Sequence, residues 1–225
     1  MSGEAGIRPI VWRVHFDHAI SSQVVSDKNP RGRLTNSDLE MAAVLMHYMI
    51  LQQQVDLRYV RAGVFSDNTP TVAWSKRMAD KSQSYTAGRL LRGLAAMQRA
   101  TRAGPLTVAS VAGKTNDMAD VSSRSYNTAA LVPDSPFLTH FNTRFPLPQS
   151  LSWKLAHLTP VMTSLVISTL AGMRLPLRQW MTTCAPNTGT MGSNCVPTHA
   201  ATHPTRRAQT QPPAAPACSR CTRPA

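Results

Sequence analysis

Ser37-Asp38-Leu39-Glu40-Met41-Ala42-Ala43-Val44-Leu45-Met46 is the stretch whose reading decides the fold. It opens with S-x-x-E, in which a hydroxyl and a carboxylate three residues apart satisfy each other's free backbone N–H groups at a helix start. Leu39, Ala42, Ala43, Met46 and Met49 or Ile50 then recur at helical spacing, so a helix is expected from there to about Gln54. Upstream, Pro9-Ile10-Val11-Trp12-Arg13-Val14-His15-Phe16 is β-branched and aromatic and reads as a strand. Between the two, Val24 to Leu34 carries Asn29-Pro30 and Gly32, which is loop chemistry.

Downstream, Tyr59 to Phe65 reads as a second strand. Ser66-Asp67-Asn68-Thr69-Pro70 turns into another helix, with proline suited to its first position. Ser84 to Arg102 is the cleanest amphipathic segment. Ala87, Leu90, Leu91, Leu94 and Met97 fall on one side, Arg89, Arg92 and Arg99 on the other, and Arg102 on the flank. Gly104-Pro105 ends it, Leu106 to Val111 reads as a third strand, and Asn116 to Arg124 as a short polar helix. Strands alternating with helices predict an α/β layer fold.

Charge and composition give a second map. The 225 residues carry 24 Lys and Arg against 11 Asp and Glu, a formal net charge of +13 that suits a polyanionic partner, nucleic acid first and an anionic membrane second. All the acids lie at or before Asp134. The stretch 135–225 has none, so a boundary is expected near Asp134. Phe137, Phe141 and Phe145 recur every fourth residue beside loop-forming Pro146 and Pro148, and Thr159-Pro160 opens a helix ending near Gly172. From Thr182 the chain is rich in Thr, Pro and Ala without apolar periodicity, which is the composition of a disordered tail. A hydrophobic content of 42 % allows a core, while 11 Gly and 17 Pro exclude a collagen-like chain. No secretory signal is read at Met1 to Ile7. Leu155 to Met173 contains His157, Pro160 and several hydroxyl residues, so it reads as a soluble helix and not a span.

Glu4 and Glu40 are the only glutamates. Glu40 near a helix start, Asp67 at a strand end and Asp120 in the first turns of a short helix are placed to converge at one sheet edge. Hard oxygen ligands of that kind suit Mg²⁺ or Mn²⁺. At these residues the chain resembles a family. Leu34-Thr35-Asn36-Ser37-Asp38-Leu39-Glu40-Met41-Ala42-Ala43 resembles the ribonuclease H segment in which a Thr-Asn turn opens the helix bearing the catalytic glutamate. Phe65-Ser66-Asp67-Asn68-Thr69 resembles the strand end bearing the next metal-binding aspartate. Val111-Ala112-Gly113-Lys114-Thr115-Asn116-Asp117-Met118-Ala119-Asp120-Val121-Ser122-Ser123-Arg124 resembles the G-x-x-N-x-x-A-D-x-x-S-R signature of ribonuclease H domains in retroelement polyproteins.

The resemblance implies a mixed sheet flanked by helices over residues 8–130. A basic connector with one helix follows over 131–181, and the disordered tail over 182–225. It implies Glu40, Asp67 and Asp120 as catalytic metal ligands for two Mg²⁺ or Mn²⁺ ions, which activate water in hydrolysis of the RNA strand of RNA–DNA hybrids. It also implies a reverse transcriptase domain upstream in the intact polyprotein. The family uses four carboxylates, and the first sits in an opening strand ahead of residues 9–16 that has no counterpart here. The expectation is therefore an N-terminally truncated, catalytically inactive domain.

Other readings of these residues stay open. Glu40 serves equally as the last member of the capping box, and Asp67 and Asp120 as acids favoured at helix starts by the macrodipole. Arg89, Arg92, Arg99 and Arg102 are either a solvated face or sequence-independent contacts to phosphates. The alternative function is a non-catalytic basic nucleic-acid-binding module. Cys184, Cys195, Cys218 and Cys221 all lie in the tail, read as adventitious, and their absence from 1–183 suits an intracellular chain without a disulfide framework. No P-loop, dinucleotide-binding glycine pattern or nucleophile elbow points to a small-molecule substrate.

Overall fold

The computed structural model describes residues 9–77, 84–124, 132–148 and 151–183. In chain order its elements are β1 (Ile10–Trp12), α1 (His18–Ser21), α2 (Asn36–Gln54), β2 (Gly63–Ser66), α3 (Thr69–Arg77), α4 (Tyr85–Thr101), β3 (Thr107–Ser110), a 3-10 turn (Gly113–Thr115), α5 (Asp117–Arg124), α6 (Asp134–Arg144), β4 (Lys154–Ala156), α7 (Pro160–Leu170) and α8 (Leu177–Thr182). The described residues all belong to one compact unit, Met1–Asn187. A second unit, Thr188–Ala225, lies outside the described residues, as do the four cysteines and nearly all of the expected tail.

The class is α/β, with helix predominating, but the single mixed sheet expected is not what forms. Among the described residues, two separate two-stranded sheets stand in its place, and both are parallel. In one, Ile10, Val11 and Trp12 pair with Lys154, Leu155 and Ala156. In the other, Gly63 to Ser66 pair with Thr107 to Ser110. Parallel strands need a crossover, and α3 and α4 supply it between β2 and β3. The strand expected over 9–16 shrinks to three residues because β4 offers no more partners. Trp12, Val14 and Phe16 nevertheless pack against the main core.

The helix decided by the opening stretch is there, but its cap lies two residues earlier than S-x-x-E implies. Thr35 is extended, at φ −87° and ψ 161°, and its hydroxyl accepts from the Asp38 N–H at 3.2 Å. The Asp38 carboxylate accepts from the Thr35 N–H and hydroxyl, each at 2.8 Å. Thr35-x-x-Asp38 is thus the box that closes. Ser37 falls inside the first turn and Glu40 in the second, so Glu40 has no capping duty. Met41, Ala42, Val44, Leu45, Met46, Tyr48, Met49 and Ile50 are all buried, which covers most of the circumference and makes α2 a central helix rather than a surface one.

The amphipathic segment forms α4, capped by Ser84, with Ala87, Leu90, Leu91, Leu94 and Met97 buried against the core. Ser84 also donates its hydroxyl to the buried Asp38, so one carboxylate serves the starts of two helices. At the other end of the pair, the Tyr48 hydroxyl lies 2.9 Å from Thr101 Oγ1. Arg102 terminates α4 in the left-handed conformation at φ 54°.

The break expected near Asp134 does not divide the body. Phe137 and Phe141, on α6, form a second buried cluster with Val11 of β1. Phe141 meets Phe145 at 4.9 Å and the edge of Trp153 at 5.3 Å between ring centroids. Met162, Leu165, Val166 and Leu170 of α7, together with Trp180 of α8, join the main core. Trp180 is seated on Gly93, where a Cβ would come within 3.0 Å of the indole. Residues 134–183 are therefore part of the same body, not a connector hung from it. Charge composition recorded the absence of acids there but carried no information about packing.

Candidate acidic site and its basic surroundings

The three motif segments come from different elements. Glu40 sits in the second turn of α2, Asp67 directly after β2, and the third segment folds as the Gly113–Thr115 turn followed by α5. Because β2 pairs in register with β3, the chain leaving β3 passes beside the end of β2, where Val111 N–H donates to the Ser66 carbonyl at 3.1 Å. That return brings Asn116 to Asp67, and its side-chain amide donates to Asp67 Oδ1 at 3.3 Å. A Cβ at Gly113 would stand 3.2 Å from Asp67 Oδ2, so glycine permits this close approach.

Glu40 is half-buried and Asp67 is exposed. Burial pushes the Glu40 carboxyl above its ordinary value, and the Asp67 charge pushes it the same way. Asp67 thus lies within electrostatic reach of Glu40. Asp120 is half-buried in the first turn of α5, and its backbone N–H donates to the Asn116 carbonyl at 3.1 Å. Among the described residues no group of three or more His, Cys, Asp or Glu side chains is placed to hold a metal ion. Of the three expected acids, Asp67 is met by Asn116 and Gly113 of the third segment, and its charge acts on Glu40.

That donor set has the right chemistry for Mg²⁺ or Mn²⁺, being carboxylate oxygen. It does not fit the pair of ions that the resemblance implies, because two carboxylates with an amide neighbour cannot bridge and flank two divalent cations. No hydrolytic step follows from it.

The arginines separate into different roles. Arg89 is not a free cation: Nη1 donates to the carbonyls of Gly172 and, at 3.2 Å, Met173, while Nη2 donates to the Tyr85 hydroxyl at 2.7 Å. It fastens α4 to the turn after α7, which corrects its assignment to a phosphate-binding face. Arg92, Arg99 and Arg102 are exposed, as that assignment requires. Arg99 sits in the last turn of α4, where a cation also complements the helix dipole. Tyr85, Arg33 and Arg174, which meet Arg89 and its turn, were not singled out from sequence. Only Tyr85 left a signal there, one helical turn ahead of Arg89 on the same stripe.

A surface cavity of about 630 Å³ lies elsewhere, lined by α6 residues including Asp134, Ser135 and Asn142, by Leu155 of β4 and by His157 just after it. None of its lining residues belongs to the three motifs. Asp134 accepts from Arg13 at 2.9 Å and lies 3.6 Å from His157 Nε2, which explains its charge structurally. Among the described residues, no helix is long and apolar enough to cross a membrane. Compared with family models, curated proteins and solved structures, the chain finds no match in any of the three.

Proposed function

We propose that this chain is a ribonuclease H-like part of a retroelement polyprotein that holds an RNA–DNA hybrid by its phosphates and does not cut it. The observation that carries the reading is the meeting of three segments distant in sequence. Asn116 and Gly113 of the third motif close on Asp67 of the second, and the Asp67 charge reaches Glu40 of the first. Each segment alone has an ordinary structural explanation. For Glu40 the capping explanation is gone, because Asp38 performs that task. A half-buried acid within electrostatic reach of a second acid is held at a cost to the fold, which is understandable at a site.

Hybrid binding draws on the exposed Arg92, Arg99 and Arg102 and on the net charge of +13. Such contacts neutralise phosphates, release counterions and read no bases, so affinity falls steeply with salt. In the family, bound divalent ions activate water and stabilise the leaving oxygen. Here the pair of carboxylates supplies too few ligands for that, and the reading is binding without turnover.

The test is a gel-resolved incubation of the full chain with end-labelled RNA–DNA hybrid in Mg²⁺ and in Mn²⁺, alongside a binding titration at several salt concentrations. Salt-dependent binding with intact RNA is expected. Metal-dependent product that disappears in Asp67→Asn would restore an enzyme, and no binding at low salt would remove the reading altogether.

A further inference from the structure

Tyr85, Arg89 and Arg92 follow at i, i+4 and i+7 on α4 and so share one stripe of its surface. The Arg89 guanidinium lies 3.9 Å from the Tyr85 ring centroid and hydrogen-bonds its hydroxyl. Arg89 is itself fixed by the Gly172 and Met173 carbonyls, as described above. Arg33 grips the same turn, donating to the Ala171 carbonyl at 2.5 Å. Gly172 sits at φ +88°, and a Cβ there would stand 2.6 Å from Arg33 Nη1. The turn behind the tyrosine is therefore held by two arginines.

The ring remains 65 % exposed. The Arg89 hydrogen bond lowers the phenol below its ordinary pKa, and the charges of Arg89, Arg174 and Arg92 act in the same direction. Arg174 and Arg92 thus lie within electrostatic reach of the ring, and both are exposed. Neither has a hydrogen-bond or ion-pair partner among the described residues. Asp38, the acid that touches neighbouring Ser84, is buried, and its oxygens are taken by Thr35 and Ser84.

An exposed aromatic face, backed by Arg89 and flanked by uncommitted guanidinium groups, matches the chemistry of an unpaired nucleotide. The base has a π-face for the ring, and the adjoining phosphates have charge for the arginines. We propose that the Tyr85 ring, backed by Arg89 and flanked by Arg92 and Arg174, is a stacking platform for single-stranded nucleic acid. This deepens the function proposed above and rests on nucleic acid being the partner. It adds that the chain engages an unpaired extension of its substrate as well as the duplex. Every base offers a π-face, so the platform tolerates any sequence.

The experiment uses the full chain and follows fluorescence anisotropy of a labelled oligouridylate and of a blunt RNA–DNA hybrid of equal length. Tyr85→Ala is expected to weaken oligouridylate binding about tenfold, as loss of one stacked base does, and to leave the hybrid nearly unaffected. Tyr85→Phe, which keeps the ring and loses the hydroxyl, is expected to bind like the wild type. Joint Arg92→Ala and Arg174→Ala is expected to flatten the salt dependence for the single strand by about 1.4 in log–log slope, two phosphates' worth. Hybrid binding by a wild type whose single-strand affinity is indifferent to Tyr85→Ala overturns the platform alone. Binding of neither oligonucleotide overturns the function and the platform together. Capture by phosphatidylserine vesicles, lost in Tyr85→Ala and unmatched by any oligonucleotide binding, overturns both in favour of a membrane surface.

Discussion

Replacing Asp38 by alanine removes the acceptor shared by the Thr35 N–H, the Thr35 hydroxyl and the Ser84 hydroxyl. A charged hydrogen bond contributes about 1.5–3 kcal/mol and an N-terminal cap about 0.5–2 kcal/mol. Thr35 is exposed, so its freed groups regain water and the total lands below the sum. A loss of about 2–4 kcal/mol is expected, a large share of the roughly 5–15 kcal/mol that holds a domain together. Glu40→Gln should act in the opposite direction. The folded-state pKa of Glu40 is raised above the ordinary value of 4.5, so the folded protein binds that proton more tightly than the unfolded chain does. Its contribution therefore falls as pH rises from 4.5 through the folded pKa, and above that the ionised group is a penalty. Glu40→Gln is expected to stabilise at neutral pH and to be neutral below the unfolded value. Urea unfolding of the variants at neutral and acid pH measures both effects. A larger loss for Glu40→Gln than for Asp38→Ala at neutral pH would place the working cap at Ser37-x-x-Glu40 and refute the reasoning.

Other outcomes follow from the same geometry. Phe141→Ala should cost about 3–5 kcal/mol, the usual range for emptying an aromatic site, and a thermal melt that loses α6 without the rest would contradict a shared body. Gly172→Ala is expected to lower stability by about 1–3 kcal/mol through its left-handed backbone and the guanidinium in its way; unchanged urea midpoints would refute this. Arg92→Ala and Arg99→Ala together should reduce the hybrid-binding salt slope by about 1.8, whereas Arg89→Ala should register mainly as about 1 kcal/mol of lost stability. His47 is half-buried, and its partial removal from water lowers its pKa below the ordinary 6.5; it accepts from the Trp12 indole at 3.3 Å. Stability should therefore decline as pH falls through and below 6.5, and His47→Gln should flatten that part of the profile.

The helices were legible in the sequence where the signal is local. Ser84 as a cap, the apolar stripe behind it and Thr159-Pro160 all mark α4 and α7 correctly, because capping and amphipathicity act within a few residues. The cap of α2 was misread because two boxes overlap in one stretch, Thr35-x-x-Asp38 and Ser37-x-x-Glu40, and only backbone conformation chooses between them. Three-residue β4 left no periodic trace, and its existence depends on β1, remote in sequence. The aromatic spacing of Phe137, Phe141 and Phe145 was helical all along, but the nearby prolines and the missing acids drew the boundary in the wrong place. Of the site, motif order suggested that the second and third segments meet, but not that Asn116 is the residue that reaches Asp67. The engagement of Arg89 by Gly172 and Tyr85 was not legible, since nothing in an arginine stripe tells which member is already occupied.

The pairing of Ile10–Trp12 with Lys154–Ala156 has a consequence for how the protein is made. During synthesis the first strand emerges well before β4, its partner among the described residues, and at ordinary translation speeds the interval is roughly 7–30 s. Over that time its backbone donors and acceptors stand open to any other extended segment. A nascent chain of this design gains from slow dilution or a chaperone's grip until the ribosome has passed residue 156.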